Sequence, residues 1–205
     1  MPTRLIIIRH GNTFNKGETL LRVGAGTDLP LTDEGLRQAS RVGKYLVAHD
    51  LLPAVIFSSP LRRTMQTADC ILAEMGSSIP IEQAEFLREI HYGQDDGKPE
   101  EEVIRRIGQD ALDRWNRDLV PPPGWEVDVP ERFRAWQEFG ERMLEEYPDK
   151  TVLAVTSNGI ARFVWGLLAD ETAAHGDKKL ATGAFSIFTH TPAGWQCDAW
   201  NVRPE

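Results

Sequence analysis

Leu5-Ile6-Ile7-Ile8 is a continuous aliphatic run that ends abruptly on Arg9-His10-Gly11. Such a run has no polar face, the pattern of a strand covered on both sides rather than of a half-exposed hairpin. Ala54 to Phe57 and Val152 to Val155 repeat it, the first closed by Ser58-Ser59-Pro60 and the second by Thr156-Ser157-Asn158-Gly159. Helical spacing follows each strand. Thr32 is placed as an N-cap ahead of Leu36, Ala39, Val42 and Leu46, Arg62 to Met75 stops before Gly76, and Ile160 to Leu168 reads as a third helix. The middle differs: Glu100 to Leu119 and Glu131 to Tyr147 read as a charged helical pair broken at Pro121-Pro122-Pro123-Gly124. Ala184 to Thr189 and Gln196 to Trp200 read as short strands joined by a Pro192-Ala193-Gly194 turn. Strands alternating with helices predict a three-layer α/β/α fold with a mostly parallel sheet. The expected organisation is one domain over residues 1–205, with a small helical cap at about 94–139.

Composition narrows the function. A chain of 205 residues can bury a full core, and its net charge of −8 argues against general binding to nucleic acid or anionic membranes. A small anionic ligand stays open, because a few local Arg residues override a weak global field. Cys70 and Cys197 fit neither a metal-site spacing nor a disulfide framework and are expected as reduced, packed thiols. The N-terminal apolar run is short for a signal-peptide core, and no stretch approaches the roughly 18 apolar residues of a membrane span, so a cytoplasmic location is expected.

In parallel α/β folds ligands sit beyond the carboxyl ends of the strands. At the first such end, Arg9 offers a fixed charge, His10 a titratable nitrogen and Gly11 close backbone approach. At the second, Arg62 and Arg63 sit with Ser58 and Ser59 at a helix N-terminus, where guanidinium groups and the helix end both favour phosphate, and charge alone fits either Arg equally. At the third stands Ser157, and Glu89 in Leu87-Arg88-Glu89-Ile90-His91-Tyr92-Gly93 is a carboxylate placed to act as a general acid.

Together these segments resemble the histidine phosphatase superfamily, also called the phosphoglycerate mutase-like family. Arg9-His10-Gly11, the stretch from Arg22 to Ala39 with Asp28, Pro30-Leu31-Thr32 and Gly35, the stretch Ser59 to Ala68, Glu89 with Tyr92-Gly93 and Gly97, and Trp195 to Asn201 match its segments in order. The resemblance selects Arg63 rather than Arg62 as the phosphate-binding Arg. It implies that neutral His10 attacks phosphorus and becomes a phosphohistidine, that Arg9 and Arg63 hold phosphoryl oxygens, and that Glu89 protonates the leaving oxygen and then activates water. It implies no metal and no other cofactor, and a small phosphorylated molecule as substrate.

The pattern departs at one important place. The family's second pocket His is replaced by Ser157, with Asn158 in a Gly position. A serine can donate a hydrogen bond but not a positive charge, and losing one preorganised donor costs roughly 3 kcal/mol in the transition state. His91 is weighed as a partial substitute. Asn15 is the expected pocket Asn although it comes one residue early, and Ala25 stands where Gly is common. Arg22 and the cap are expected to set specificity, with Trp115, Trp125 and Trp136 candidates for an apolar entrance. The reading is a metal-independent phosphomonoester phosphatase; a phosphoglycerate-type mutase and a non-catalytic phosphate binder are the alternatives. The sequence leaves the substrate unnamed and the oligomeric state open, a homodimer through apolar residues near the last strands being the candidate assembly.

Overall fold

The computed structural model describes residues 2–168 and 178–205. Six strands, β1 (Arg4–Arg9), β2 (Val55–Ser58), β3 (Ile81–Gln83), β4 (Thr151–Thr156), β5 (Phe185–Thr191) and β6 (Gly194–Val202), form one sheet in the order β3-β2-β4-β1-β5-β6. The pairs β3–β2, β2–β4 and β4–β1 are parallel, while β5 and β6 extend the sheet antiparallel. The fold is the expected α/β architecture with a mixed sheet.

The aliphatic runs behave as their composition demands. Leu5 and Ile7 join a core with Val55, Phe57, Val152 and Ala154 on one face, and Ile6 and Ile8 join another with Ile56, Leu153 and Val155 on the opposite face. All four residues of the first run are fully buried, each worth about 1.5–3 kcal/mol in transfer out of water. One face is covered by α1 (Asp33–Ala48) and α2 (Arg62–Met75), which present Val42, Leu46, Ala68 and Ile71 to the sheet. Thr32 caps α1 by accepting from the Gly35 amide at 3.1 Å, and Gly76 ends α2 at a left-handed φ of 57°. The other face carries α5 (Val129–Glu146), whose Trp136, Phe139 and Met143 are buried.

Three local expectations change. The helix expected over 100–119 is two, α3 (Glu100–Ile107) and α4 (Gln109–Asp118), because Gly108 takes φ 81° and ψ 151° and breaks the ladder. The helix expected over 160–168 is a single α-turn, α6 (Asn158–Ala161), followed by a 3-10 segment Arg162–Leu167. The indole of Trp136 donates to the Ile160 carbonyl at 3.0 Å, taking an acceptor that a continuing helix would use, and Gln137 does the same at Gly166. The strand β3 was not anticipated; only three residues long, it lacks any periodic signal.

The parallel strands β3, β2, β4 and β1 end on one edge of the sheet. Their exits lead respectively to the segment containing Glu89, to α2 with Arg63, to Ser157 and to His10.

Candidate active site

Arg9 pairs with Thr156 across β1 and β4, and the His10 amide donates to the Thr156 carbonyl at 3.1 Å. His10 and Ser157 are therefore the first residues beyond two adjacent strands. The turn after His10 is pinned from below by α1. Built on Gly11, a Cβ would lie 2.3 Å from the Gly35 carbonyl oxygen, and on Gly35 it would lie 2.2 Å from that of Asn12, so neither position tolerates a side chain. The Asn12 amide donates to Gln38 Oε1 at 2.8 Å, and the Gly11 amide to Thr67 Oγ1 at 3.3 Å. Thr67 in turn donates to the Arg63 carbonyl at 2.7 Å, tying α2 to the same turn.

His10 is buried, and its Nδ1 lies 2.8 Å from the Gly11 carbonyl oxygen. A carbonyl only accepts, so Nδ1 carries the proton and the Nε2 lone pair is left for chemistry. Burial lowers the imidazole pKa well below its ordinary value, and the positive charges of Arg63 and Arg9 push it further the same way. The ring is thus neutral at physiological pH, the form a nucleophile requires.

Arg63 is fully buried at the start of α2. Its Nη1 donates to the Thr27 carbonyl at 2.8 Å and its Nη2 to that of Gly24 at 3.3 Å. Burial lowers its pKa, and the negative charge of Glu89 opposes that shift. Arg9 behaves alike and donates from Nη1 to the Leu180 carbonyl at 2.7 Å. The Nε atoms of Arg9 and Arg63 and the Oγ of Ser157 are buried donors without a partner among the described residues. Unpaired buried donors cost about 1–3 kcal/mol each. An anion with several acceptor oxygens, such as a phosphoryl group, has the chemistry to accept from them.

Glu89 is buried and held by two backbone amides, Ile90 N to Oε1 at 2.9 Å and Gly159 N to Oε2 at 3.1 Å. Glycine at 159 is a requirement of that contact, since a Cβ there would fall 2.1 Å from Glu89 Oε1. Burial, with the Glu89 charge adding to it, holds the nearby Tyr92 hydroxyl protonated far above its usual range.

Arg9, His10 and Glu89 open onto a cleft of about 1000 Å³, whereas Arg63 and Ser157 are fully buried and are not among its lining residues. Around the first three stand Asn12, Thr13, Asn158 and Thr182. Leu20, Leu21, Val23 and Leu112 form an apolar wall, and Arg117, Arg162 and Lys179 supply further positive charge. Arg22 also lines the cleft, bonded through Nη2 to Glu100 and stacked over Tyr92 and Trp125 at 5.3 and 5.1 Å from the ring centroids. Asn12, Arg162 and Lys179 had no assigned role in the sequence reading; only their proximity in three dimensions reveals them.

Several expected residues stand elsewhere. Asn15 is exposed and its side chain donates to Glu18 Oε1 at 2.9 Å; the cleft takes Asn12 instead, because the turn is already fixed by Gln38 and Thr32. His91 is exposed outside the cleft, where its Nδ1 accepts from the Gly93 amide at 3.2 Å, so it does not replace the family's second His. Trp115, Trp125 and Trp136 are core residues rather than an entrance, each less than 10% exposed. Trp125 donates its indole N–H to Asp95 Oδ2 at 2.8 Å. Residues 169–177 lie outside the described part of the chain.

Comparison with known proteins identifies the family. The family model for the histidine phosphatase superfamily (branch 1) matches residues 5–203. A 2,3-bisphosphoglycerate-dependent phosphoglycerate mutase of Arthrobacter sp. (strain FB24) is 32% identical over 126 residues, 60% of this chain and 50% of that protein. Fructose-2,6-bisphosphatase TIGAR B of Danio rerio is 37% identical over 147 residues, 70% of this chain and 55% of that protein. The chain spans about half the length of the curated relatives it matches. Among solved structures, a mycobacterial glucosyl-3-phosphoglycerate phosphatase superposes with a TM-score of 0.79 at 23% identity, covering 98% of this chain and 99% of that one, a likeness of fold.

Proposed function

This chain belongs to the histidine phosphatase superfamily, and from that premise we propose that it is a phosphomonoester phosphatase acting through a phosphohistidine on His10. The observation that carries the reading is a buried neutral imidazole, its Nδ1 committed to the Gly11 carbonyl and the charges of Arg63 and Arg9 acting on it, together with buried donors at Arg9 Nε, Arg63 Nε and Ser157 Oγ that have no partner among the described residues. In the first step Nε2 forms a bond to phosphorus, the ester P–O bond breaks, and Glu89 in its acid form gives its proton to the leaving oxygen. In the second, water attacks phosphorus, Glu89 takes its proton, and the N–P bond breaks to release inorganic phosphate. The two guanidinium groups offset charge on the phosphoryl oxygens, and Ser157 donates the remaining hydrogen bond. The substrate is a small phosphorylated molecule whose leaving portion occupies the cleft between the apolar wall and Arg22.

A phosphoryl-transferring mutase is a second reading, favoured by the names of the curated relatives. One experiment separates them: phosphate release from a panel of phosphomonoesters without added metal, using wild type and His10→Ala side by side, with acid-labile protein-bound phosphate scored in both. Release and labelling by the wild type alone are expected. Isomerisation of a phosphoglycerate without release points to the mutase, and neither activity leaves a phosphate-binding protein.

A further inference from the structure

Asp95 and Asp96 are neighbours in the chain with opposite attachments. Asp95 is buried and faces the helical insertion, accepting from Arg106 Nε at 2.6 Å and from the Trp125 indole at 2.8 Å. Asp96 faces the other way, into the loop that precedes α1. Its carboxylate accepts from the Gly24 amide at 3.1 Å, the Gly26 amide at 2.9 Å and the Thr27 hydroxyl. Gly24 and Thr27 are the residues whose carbonyls receive the two Nη groups of Arg63. The fit is close: a Cβ on Gly24 would lie 2.4 Å from Asp96 Oδ2.

We propose that Asp96 is a positioning residue for Arg63, fixing the loop 24–27 so that its carbonyls aim the guanidinium at the phosphoryl group, and that through Asp95 this grip is tied to the helical insertion. A guanidinium held by two carbonyls goes where the carbonyls go. The loop has no regular secondary structure of its own, so the carbonyl directions depend on what its amides and hydroxyl bind. Asp96 takes three of those donors at once, while the Ala25 amide donates to the Ile90 carbonyl at 2.9 Å and the Thr27 amide turns back to the Gly24 carbonyl at 3.4 Å. Asp28 secures the far end by accepting from the Arg62 amide at 2.7 Å, which anchors the loop to α2 but not the orientation of Gly24 and Thr27. The inference rests on the reading that Arg63 grips the phosphoryl group.

The test is a double-mutant cycle with two readouts, affinity for inorganic phosphate and kcat/KM for the best phosphomonoester of the panel. Asp96→Asn keeps the shape but opposes an amide N–H with an amide N–H. It is expected to weaken both readouts roughly tenfold in the wild-type background and less than about twofold once Arg63→Met has removed the guanidinium. Equal losses in the two backgrounds would mean that Asp96 acts only on general stability, and would overturn the proposal. So would an unchanged phosphate affinity in Asp96→Asn. Thermal melting checks that each protein is folded, and Thr27→Val, which deletes one hydroxyl–carboxylate bond, runs the same cycle if Asp96→Asn is not. If Arg63→Met itself leaves phosphate affinity intact, it is the phosphate-gripping role of Arg63 that fails, and the proposal with it.

Discussion

The Gly159 amide donates to the Glu89 carboxylate at 3.1 Å, and a Cβ on Gly159 would lie 2.1 Å from that carboxylate's Oε1, so a side chain there must push it aside. The proposed acid is therefore oriented by the backbone of the segment after β4. Gly159→Ala is expected to displace Glu89 and to lower kcat by about 10²-fold, the lower range of what a positioned acid supplies. Affinity for inorganic phosphate, measured calorimetrically, should change little, because Arg9, Arg63 and Ser157 keep their places.

Ser157 offers a sharper separation of stability from activity. Its hydroxyl is buried without a partner among the described residues, and removing an unsatisfied buried group is neutral or stabilising. Ser157→Ala should therefore melt at the same temperature or slightly higher while phosphate release falls roughly 10²-fold. A lower melting temperature together with unchanged turnover would remove Ser157 from the site.

Acid should reveal His10. Burial and the Arg63 and Arg9 charges depress its folded pKa well below the ordinary histidine value of 6.5, so on unfolding in acid the chain takes up a proton that the native site refuses. The contribution of neutral His10 is complete above pH 6.5 and is lost as the pH falls from there towards the folded pKa. His10→Asn, which cannot titrate, should lose less stability than wild type between about pH 7 and about pH 5. Parallel melting curves for the two proteins would contradict the depressed pKa.

Asn12 and Asn15 should part company. Asn12 lines the cleft and its Oδ1 accepts from the Thr182 hydroxyl, whereas Asn15 is bonded to Glu18 outside it. Asn12→Ala is expected to raise KM severalfold, roughly what one lost hydrogen bond costs. Asn15→Ala should stay within about twofold of wild type in steady-state kinetics.

The aliphatic runs and the Arg-His-Gly turn made β1, β2 and β4 and the edge where they end readable from sequence, because burial on both faces leaves a pattern that few other structures share. His10, Arg63, Glu89 and Ser157 could be placed because each follows a strand or stands in a matched segment. What escaped was set by contacts between distant segments. Nothing local to Asn15 says that Gln38 and Thr32 fix the turn around Asn12 instead. The duties of Asp95 and Asp96 were equally silent, since each depends on partners at least eleven residues away: Arg106, Trp125 and the loop 24–27. The break at Gly108 was visible only as a glycine within an otherwise helical pattern, a signal too common to divide a helix.

The contact between Gly11 and Gly35 is backbone against backbone. No rotamer lies between them to absorb a displacement, so the turn beneath His10 behaves as an incompressible floor. The exposed Leu20, Asn116 and Arg117 line the same cleft and carry no such backbone lock. On the proposed function, new substrates can be acquired by redecorating those positions alone, with the turn that carries His10 inherited intact.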